Sequence, residues 1–474
     1  MHLVLNAVTF PLIGEVNLSG GILLAFIVCL LAVVVFEFVN GFHDTANAVA
    51  TVIYTNAMKP MVAVPWSGFF NFLGVFVGGV AVAMGILKLV PLNEMMTLPV
   101  NVGACLVVSV LLSAIIWNLG TWYLGIPCSS SHTLIGALIG GGLAFSHYYH
   151  GAGVNWGKAQ EIGMSLILSP IFGFGAAVIL MMLLKYVFKR NQLFHIPQGR
   201  DEKPPLPTRI LLILTCTLVS FFHGSNDGQK GVGLLMLILI AFLPARFALD
   251  HSIPDSKIMA SLVSIEQVIP AAISDNPNNK TEISALSTQI ASAKDDLAHR
   301  VTEDAAVTFK LRKEIQSVTK ALKGFMTNKD MTIPAENKAV FKQASDQLTK
   351  TTDFAPIWVI ATISISLGIG TMIGWKRIVV TIGEKIGNEH LNYAQGATAE
   401  IVAATTIGLS TGLGLPVSTT HVLSSGIAGT MVASKGAGNL NGGTLKNIAL
   451  AWVLTLPVSM MLAAGFFFLF HLFV

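Results

Sequence analysis

Two aspartates and two runs of three hydroxyl residues, set in matched motifs within apolar sequence, carry the chemistry of this 474-residue chain. Gly41-Phe42-His43-Asp44-Thr45-Ala46-Asn47 returns in altered form as Gly224-Ser225-Asn226-Asp227-Gly228-Gln229-Lys230. Likewise, Pro127-Cys128-Ser129-Ser130-Ser131-His132 returns as Pro416-Val417-Ser418-Thr419-Thr420-His421. Proline near a helix start, followed by hydroxyls, leaves N–H and O–H donors at the positive end of a helix, which makes an anion cradle. Ordinary N-capping accounts for one such start; two, each paired with an acidic motif, point to a site. An ionised group at membrane depth costs roughly 2.5–3.5 kcal/mol, so Asp44 and Asp227 are expected to face a water-filled or protein-lined cavity. Capping a broken helix explains one aspartate, but not the return of both with an imidazole or amide just before. An anion beside them is repelled by about 1–4 kcal/mol per pair at 4 Å unless a cation lies between. The motifs therefore call for joint binding of an anion with a proton, a sodium ion or a divalent metal, each raising the other's affinity equally.

The elements that must position these groups are membrane helices. With 53% hydrophobic and 11% charged residues and a mean hydropathy of +0.69, the chain is far from the roughly 25% charge of a soluble domain. Apolar windows fall near Gly21–Asn40, Met61–Leu87, Val100–Tyr123, Ile162–Leu184, Arg209–Phe222, Leu234–Phe242, Ile357–Gly374, Ala397–Leu415 and Leu445–Val474. At about 20 residues per crossing most can span a bilayer, and the short ones beside polar breaks predict about ten to twelve segments, several discontinuous or re-entrant. A net charge of +4 suggests no nucleic-acid partner. The basic stretch Lys185–Arg209 is the best candidate for a cytoplasmic loop, which places the termini outside. The N-terminal stretch lacks the basic region and cleavage site of a signal peptide, so its apolar window is expected to remain as a span.

The first motif recurs after 183 positions and the second after 289, so the second half is longer by 106 residues. The excess is a polar insert over 246–353, within which Ile283, Leu286, Ile290, Ala293 and Leu297, then Leu311, Ile315, Val318 and Leu322, recur as in amphipathic helices. A solvated helical hairpin is expected there. The organisation read from the chain is a first membrane repeat over 1–190, a basic linker with Pro204, Pro205 and Pro207 over 191–208, the start of a second repeat over 209–245, the insert, and the remainder over 354–474. Glycine runs such as Gly136–Gly142 let helices approach closely.

In order and spacing the four motifs resemble those of the inorganic phosphate transporter (PiT) family, most closely its bacterial low-affinity Pit members, across both membrane halves. The resemblance implies an all-α integral membrane protein of the plasma membrane, the inner membrane of a bacterium, with two inverted repeats, discontinuous helices and two re-entrant hairpins. It implies import of inorganic phosphate, alone or as a neutral complex with a divalent metal, by proton-coupled symport, with sodium coupling as the alternative. Carried over by residue, Ser129, Ser130, Ser131, Ser418, Thr419 and Thr420 hold phosphate oxygens, and Asn47 and Asn226 shape the same site. Asp44 and Asp227 hold the coupling cation, with Asn47 and Asn226 beside them, and His43 and Lys230 join this cation-coupling set from outside the family's pattern. No cofactor and no dedicated metal are implied, although a transported divalent ion fits near Asp44 and Asp227. Arsenate as a second cargo, surrounding lipid and a homodimer complete the expected partners. Two positions depart from the sodium-driven pattern: His43 replaces an Asn, and Lys230 stands where the first copy has Asn47. A fixed ammonium can take the place of sodium and an imidazole can take up a proton near neutral pH, which favours protons.

Secondary candidates are His132 and His421, which either donate to phosphate or satisfy a carbonyl, and Glu400, whose place in an apolar window suits a gating or proton role. Glu37 and His223 lie close to the first motifs, where a structural pairing is equally expected. Cys29, Cys105, Cys128 and Cys216 have no metal-ligand spacing and read as buried thiols. A membrane-embedded metal-dependent hydrolase built on His43 and Asp44 would need one asymmetric centre, whereas the chain offers two matched half-sites. A passive anion channel would more naturally be ringed with Lys or Arg.

Overall fold

The structure, a computed structural model, describes residues 8–44, 46–150, 153–188, 192–199, 202–271, 277–301, 304–329 and 331–473. Thr45 of the first motif and Lys189, Arg190, Arg200 and Asp201 of the basic stretch Lys185–Arg209 lie outside the described residues. A two-stranded antiparallel hairpin, β1 (Val8–Phe10) and β2 (Gly14–Val16), precedes an otherwise helical chain.

The first half runs through α1 (Gly20–Asp44), α2 (Ala46–Tyr54), α3 (Pro60–Val77), α4 (Ala81–Leu87), α5 (Leu92–Met95), α6 (Val100–Tyr123), α7 (Ser130–Tyr149) and α8 (Trp156–Val187). The second begins with α9 (Leu206–His223), a π-helical turn (Gly224–Gly228) and α10 (Gln229–Phe242). After α11 (Pro244–Phe247) come four polar helices, α12 (Asp255–Val268), α13 (Pro277–Ala298), α14 (Ala305–Thr327) and α15 (Ala335–Thr352). The chain closes with α16 (Ile357–Thr371), α17 (Lys376–Val380), a second π-helical turn (Thr381–Lys385), α18 (Tyr393–Gly412), α19 (Thr419–Lys435) and α20 (Gly442–His471).

Among the described residues six helical stretches are long and apolar enough to cross a membrane: Gly20–Tyr54, Pro60–Val77, Val100–Tyr123, Trp156–Val187, Leu206–Phe242 and Gly442–His471. That is fewer than the ten to twelve segments expected from apolar windows. The physical reason lies in α7, α16, α18 and α19, which are short or rich in Ser, Thr and Gly because they carry or adjoin the polar motifs.

The chain divides into two compact units, residues 1–238 with 356–474 and residues 239–355. In the first, α7 lies along α20 and α19 along α8, so the helix following each hydroxyl run packs on the last long helix of the other half. Glycine permits this: a Cβ on Gly140 would lie 2.5 Å from the Cα of Met460. Small residues drive such membrane contacts because close backbone approach recovers dispersion that lipid cannot supply.

In the second unit α12 and α14 each pack on both α13 and α15, closing a four-helix arrangement. The apolar positions read from periodicity, Leu286, Ile290, Ala293, Leu297, Leu311, Ile315, Val318 and Leu322, are buried in its core. Periodicity thus located two helices of four, and the expected hairpin is corrected to a bundle; α12 and α15 contribute Leu262, Ile265, Phe341 and Leu348 to the same core. Buried Arg312 donates to the carbonyls of Ala248 at 2.6 Å and Thr352 at 2.7 Å, clasping the segments that enter and leave the bundle. Burial pushes its guanidinium down to about 10, so it remains charged at neutral pH.

Candidate functional site

Both hydroxyl motifs fold the same way. Gly125 and Gly414, each two residues before the motif proline, adopt φ of 68° and 69°, a left-handed turn that suits glycine. Ser129 and Ser418 then cap α7 and α19 by accepting from the N–H of His132 and His421, both at 3.1 Å. The caps leave Ser130, Ser131, Thr419 and Thr420 in the first turns, where the helix ends are positive.

The acidic motifs arrive from a different direction. Asp44 ends α1, and Asp227 sits in the π-helical turn between α9 and α10, a local widening frequent at functional sites. Gly224 lets that turn approach α3, since a Cβ there would fall 2.8 Å from the Cα of Asn71.

These elements converge. Asp44 accepts from Ser130 at 2.8 Å, Thr420 at 2.6 Å and Asn47 at 3.2 Å, and therefore collects donors from both hydroxyl runs. Asn47 also donates to Thr420 at 3.0 Å and Thr419 at 3.3 Å. Asp227 pairs with Lys230 at 2.6 Å and accepts from Ser130 at 3.3 Å. Lys230 reaches on to Ser131 at 2.7 Å, whose hydroxyl donates to the Val417 carbonyl of the other motif at 2.6 Å. His43 lies 3.5 Å from Asp44 and 3.3 Å from Thr121. Asp44, Asp227, Lys230, Asn47, Ser130, Ser131, Thr419 and Thr420 are all between 0 and 2% exposed.

One contributor carried no motif of its own. His223 presents Nε2 at 3.8 Å from Asp44 and 3.6 Å from Asp227, while its Nδ1 meets Asn71 at 2.8 Å. One ligand atom from each of Asp44, His223 and Asp227 lies within 4.8 Å of the others, so this trio has the dimensions to hold a cation. Its sequence signal was the four-residue spacing to Asp227 on a helix. Nothing local in sequence announced Asn71 or Thr121, which come from α3 and α6.

Other candidates sit apart from the centre. Asn226 braces the second hydroxyl motif, donating to Thr411 at 2.9 Å and the Leu415 carbonyl at 3.1 Å and accepting from the Val417 N–H at 3.2 Å. His132 turns Nδ1 to Ser129 at 2.9 Å, and its ring lies 4.4 Å from that of His421, which stacks on Trp452 at 3.9 Å. Glu400 is fully buried elsewhere, between the hydroxyls of Thr51 and Thr215. Cys29, Cys128 and Cys216 are buried free thiols and Cys105 is half-buried.

Hydroxyls and carboxylates from both halves, gathered in one buried cluster among apolar helices, fit a membrane transporter. The comparisons say which. A family model described as the phosphate transporter family matches residues 40–463, and this chain belongs to that family. The low-affinity inorganic phosphate transporter PitB of Escherichia coli (strain K12) is 39% identical over 497 aligned residues, covering 96% of this chain and 97% of that protein. PitA of the same strain is 39% identical over 97% of this chain and 98% of its own length. Among solved structures, one titled "The sodium-dependent phosphate transporter" matches with a TM-score of 0.55 at 21% identity, covering 95% of this chain and 100% of that one, a likeness of fold.

Proposed function

We propose that the protein imports inorganic phosphate, free or as a neutral complex with a divalent metal, by proton-coupled symport. The observation that carries this reading is the way the phosphate-type donors are spent: Ser130 and Thr420 both donate to Asp44. An ionised carboxylate accepts only, and charge-assisted bonds of this kind are about twice as strong as neutral ones. Protonation of Asp44 weakens its hold on both hydroxyls and removes a negative charge from beside the incoming anion. Two O–H donors then turn to phosphate, and proton and anion favour each other's binding by linkage. His43 and His223, both against Asp44, are placed to hand that proton on.

Lys230 supports protons over sodium. Its ammonium already neutralises Asp227, filling with a fixed charge the place that an alkali cation would take. The carboxylates approach within 4.8 Å, where two unit charges repel by roughly 3.5 kcal/mol at an effective dielectric of about 20, and the Lys230 ammonium offsets that repulsion. The Asp44–His223–Asp227 trio favours a divalent metal as part of the cargo. Ser130, Ser131, Thr419, Thr420 and Asn47 take the phosphate oxygens, with Ser129, Ser418 and Asn226 holding the helix starts in place. His132 and His421 support those starts from behind, and Glu400, held by hydroxyls on α2 and α9, serves a gating or proton-storing role.

The test is labelled phosphate uptake into proteoliposomes under separately imposed proton and sodium gradients. Uptake is expected to follow the proton gradient, inside alkaline, and to ignore sodium. Uptake that needs sodium and ignores the proton gradient overturns the coupling assignment.

A further inference from the structure

A cluster of cationic side chains lies outside the buried site. A cavity of about 670 Å³ opens on the first unit between the end of α6 and the segment from Gly374 through α17 to Lys385. Lys376, Arg377 and Lys385 line it together with Trp122, Tyr123 and Trp375, and no carboxylate does among the described residues. Arg377 is pre-set: its guanidinium lies 5.0 Å from the Trp122 ring and 4.8 Å from the Tyr123 ring and donates to the Tyr123 carbonyl at 2.5 Å. A guanidinium fixed on aromatic faces loses little entropy on gripping a phosphate group, and its planar fork matches two phosphate oxygens.

The cavity abuts the transport machinery at two points. Thr121, next to Trp122, contacts His43 at 3.3 Å, and the Trp122 ring lies 5.0 Å from that of Phe42. Thr381 donates at 2.8 Å to the carbonyl of Gly125, the turn that leads into Ser129–Ser131. An oxyanion held here stands at the end of the helix that contacts the coupling histidine. Three cations around aromatic walls concentrate anions, because low-dielectric surfaces focus the field.

We propose that this cavity is a phosphate-oxyanion site at the mouth of the transport path, its ligand being either free inorganic phosphate or the headgroup phosphate of an anionic lipid. The inference rests on phosphate as cargo and is independent of the coupling ion.

The experiment uses the full chain in proteoliposomes made of phosphatidylcholine alone or with added phosphatidylglycerol, reading the concentration dependence of labelled phosphate exchange with no ion gradient imposed. Exposed Lys376 and Lys385 are replaced together as Lys376→Gln/Lys385→Gln, which leaves the Arg377 stack in place. If free phosphate is the ligand, the double variant raises the half-saturating phosphate roughly threefold to tenfold in both lipids at unchanged maximal rate. If a lipid headgroup is the ligand, phosphatidylglycerol changes exchange by the unaltered protein and leaves the variant unresponsive. Lys376→Arg/Lys385→Arg is expected to behave as the unaltered chain in either case. A glutamine variant that matches the unaltered protein in both lipids overturns the proposal. Exchange itself, present or absent in the unaltered protein, tests phosphate as cargo separately.

Discussion

The two aspartates sit in matching motifs, yet their surroundings differ. Asp227 has a permanent partner, the fully buried ammonium of Lys230 at 2.6 Å. Asp44 is held instead by two hydroxyls and an amide, with two imidazoles near its oxygens and no lysine or arginine paired to it among the described residues. The motif positions tell the same story, since Asn47 in the first copy becomes Lys230 in the second. A duplicated site whose halves stay identical binds two equal cations. In the mechanism proposed above, one half has internalised its cation, the Lys230 ammonium, and the other depends on one that comes and goes. On that proposal the asymmetry makes one carboxylate part of a fixed ion pair and the other the switch.

The largest effect that would break this comparison is expected at Asp44. Asp44→Asn leaves a neutral side chain that cannot take up or release the coupling proton, and it removes the charge from two hydrogen bonds worth about 1.5–3 kcal/mol each; proton-driven uptake should fall by at least about 100-fold without loss of inserted protein. Wild-type uptake in this variant would remove Asp44 from the switch. Asp227→Asn should act through stability as well, because it strands a buried ammonium at a cost of about 3–5 kcal/mol. Adding Lys230→Met should recover thermal stability in detergent but not proton-driven uptake; recovery of both would mean that the pair is structural only.

Lys230→Asn sharpens the contrast by restoring the first copy's residue. Proton-driven uptake is expected to fall about tenfold and to become sodium-responsive, the loss corresponding to about 1.4 kcal/mol. A variant as indifferent to sodium as the parent would show that the ammonium does not occupy a sodium position. The smallest effects belong to the caps: Ser129→Ala and Ser418→Ala should each cost about 1 kcal/mol of stability. Because the two caps share one geometry, melting temperatures shifted by clearly different amounts would break the equivalence of the hydroxyl motifs.

Much of this site was legible in the chain. Asp44, Asp227, Asn47, Lys230, Ser130, Ser131, Thr419 and Thr420 were nameable because polar motifs repeated within apolar sequence stand out from it, and the structure brings them into one buried cluster. Ser129, Ser418 and Asn226 were named with the ligands but stand one step back, as caps and as a brace. Residue type marks them as polar, whereas orientation on the helix turn decides what they touch. His223 drew attention only by its nearness to Asp227, and its reach to Asp44 depends on α1 and α9 lying side by side. The insert shows the same limit, since strong periodicity exposed α13 and α14 while α12 and α15 stayed hidden.

Sequence by itself determined that this chain lives among lipids and that an acidic motif and a hydroxyl-led motif each recur in it, because hydropathy and repeated motifs are local properties. Only the tertiary structure decided which hydroxyl serves which carboxylate, that Glu400 sits apart with Thr51 and Thr215, and that Lys376, Arg377 and Lys385 gather around one aromatic cavity. Those pairings join residues hundreds of positions apart through helix packing, where glycine contacts and one π-helical turn set the final rotation, and no local pattern encodes that.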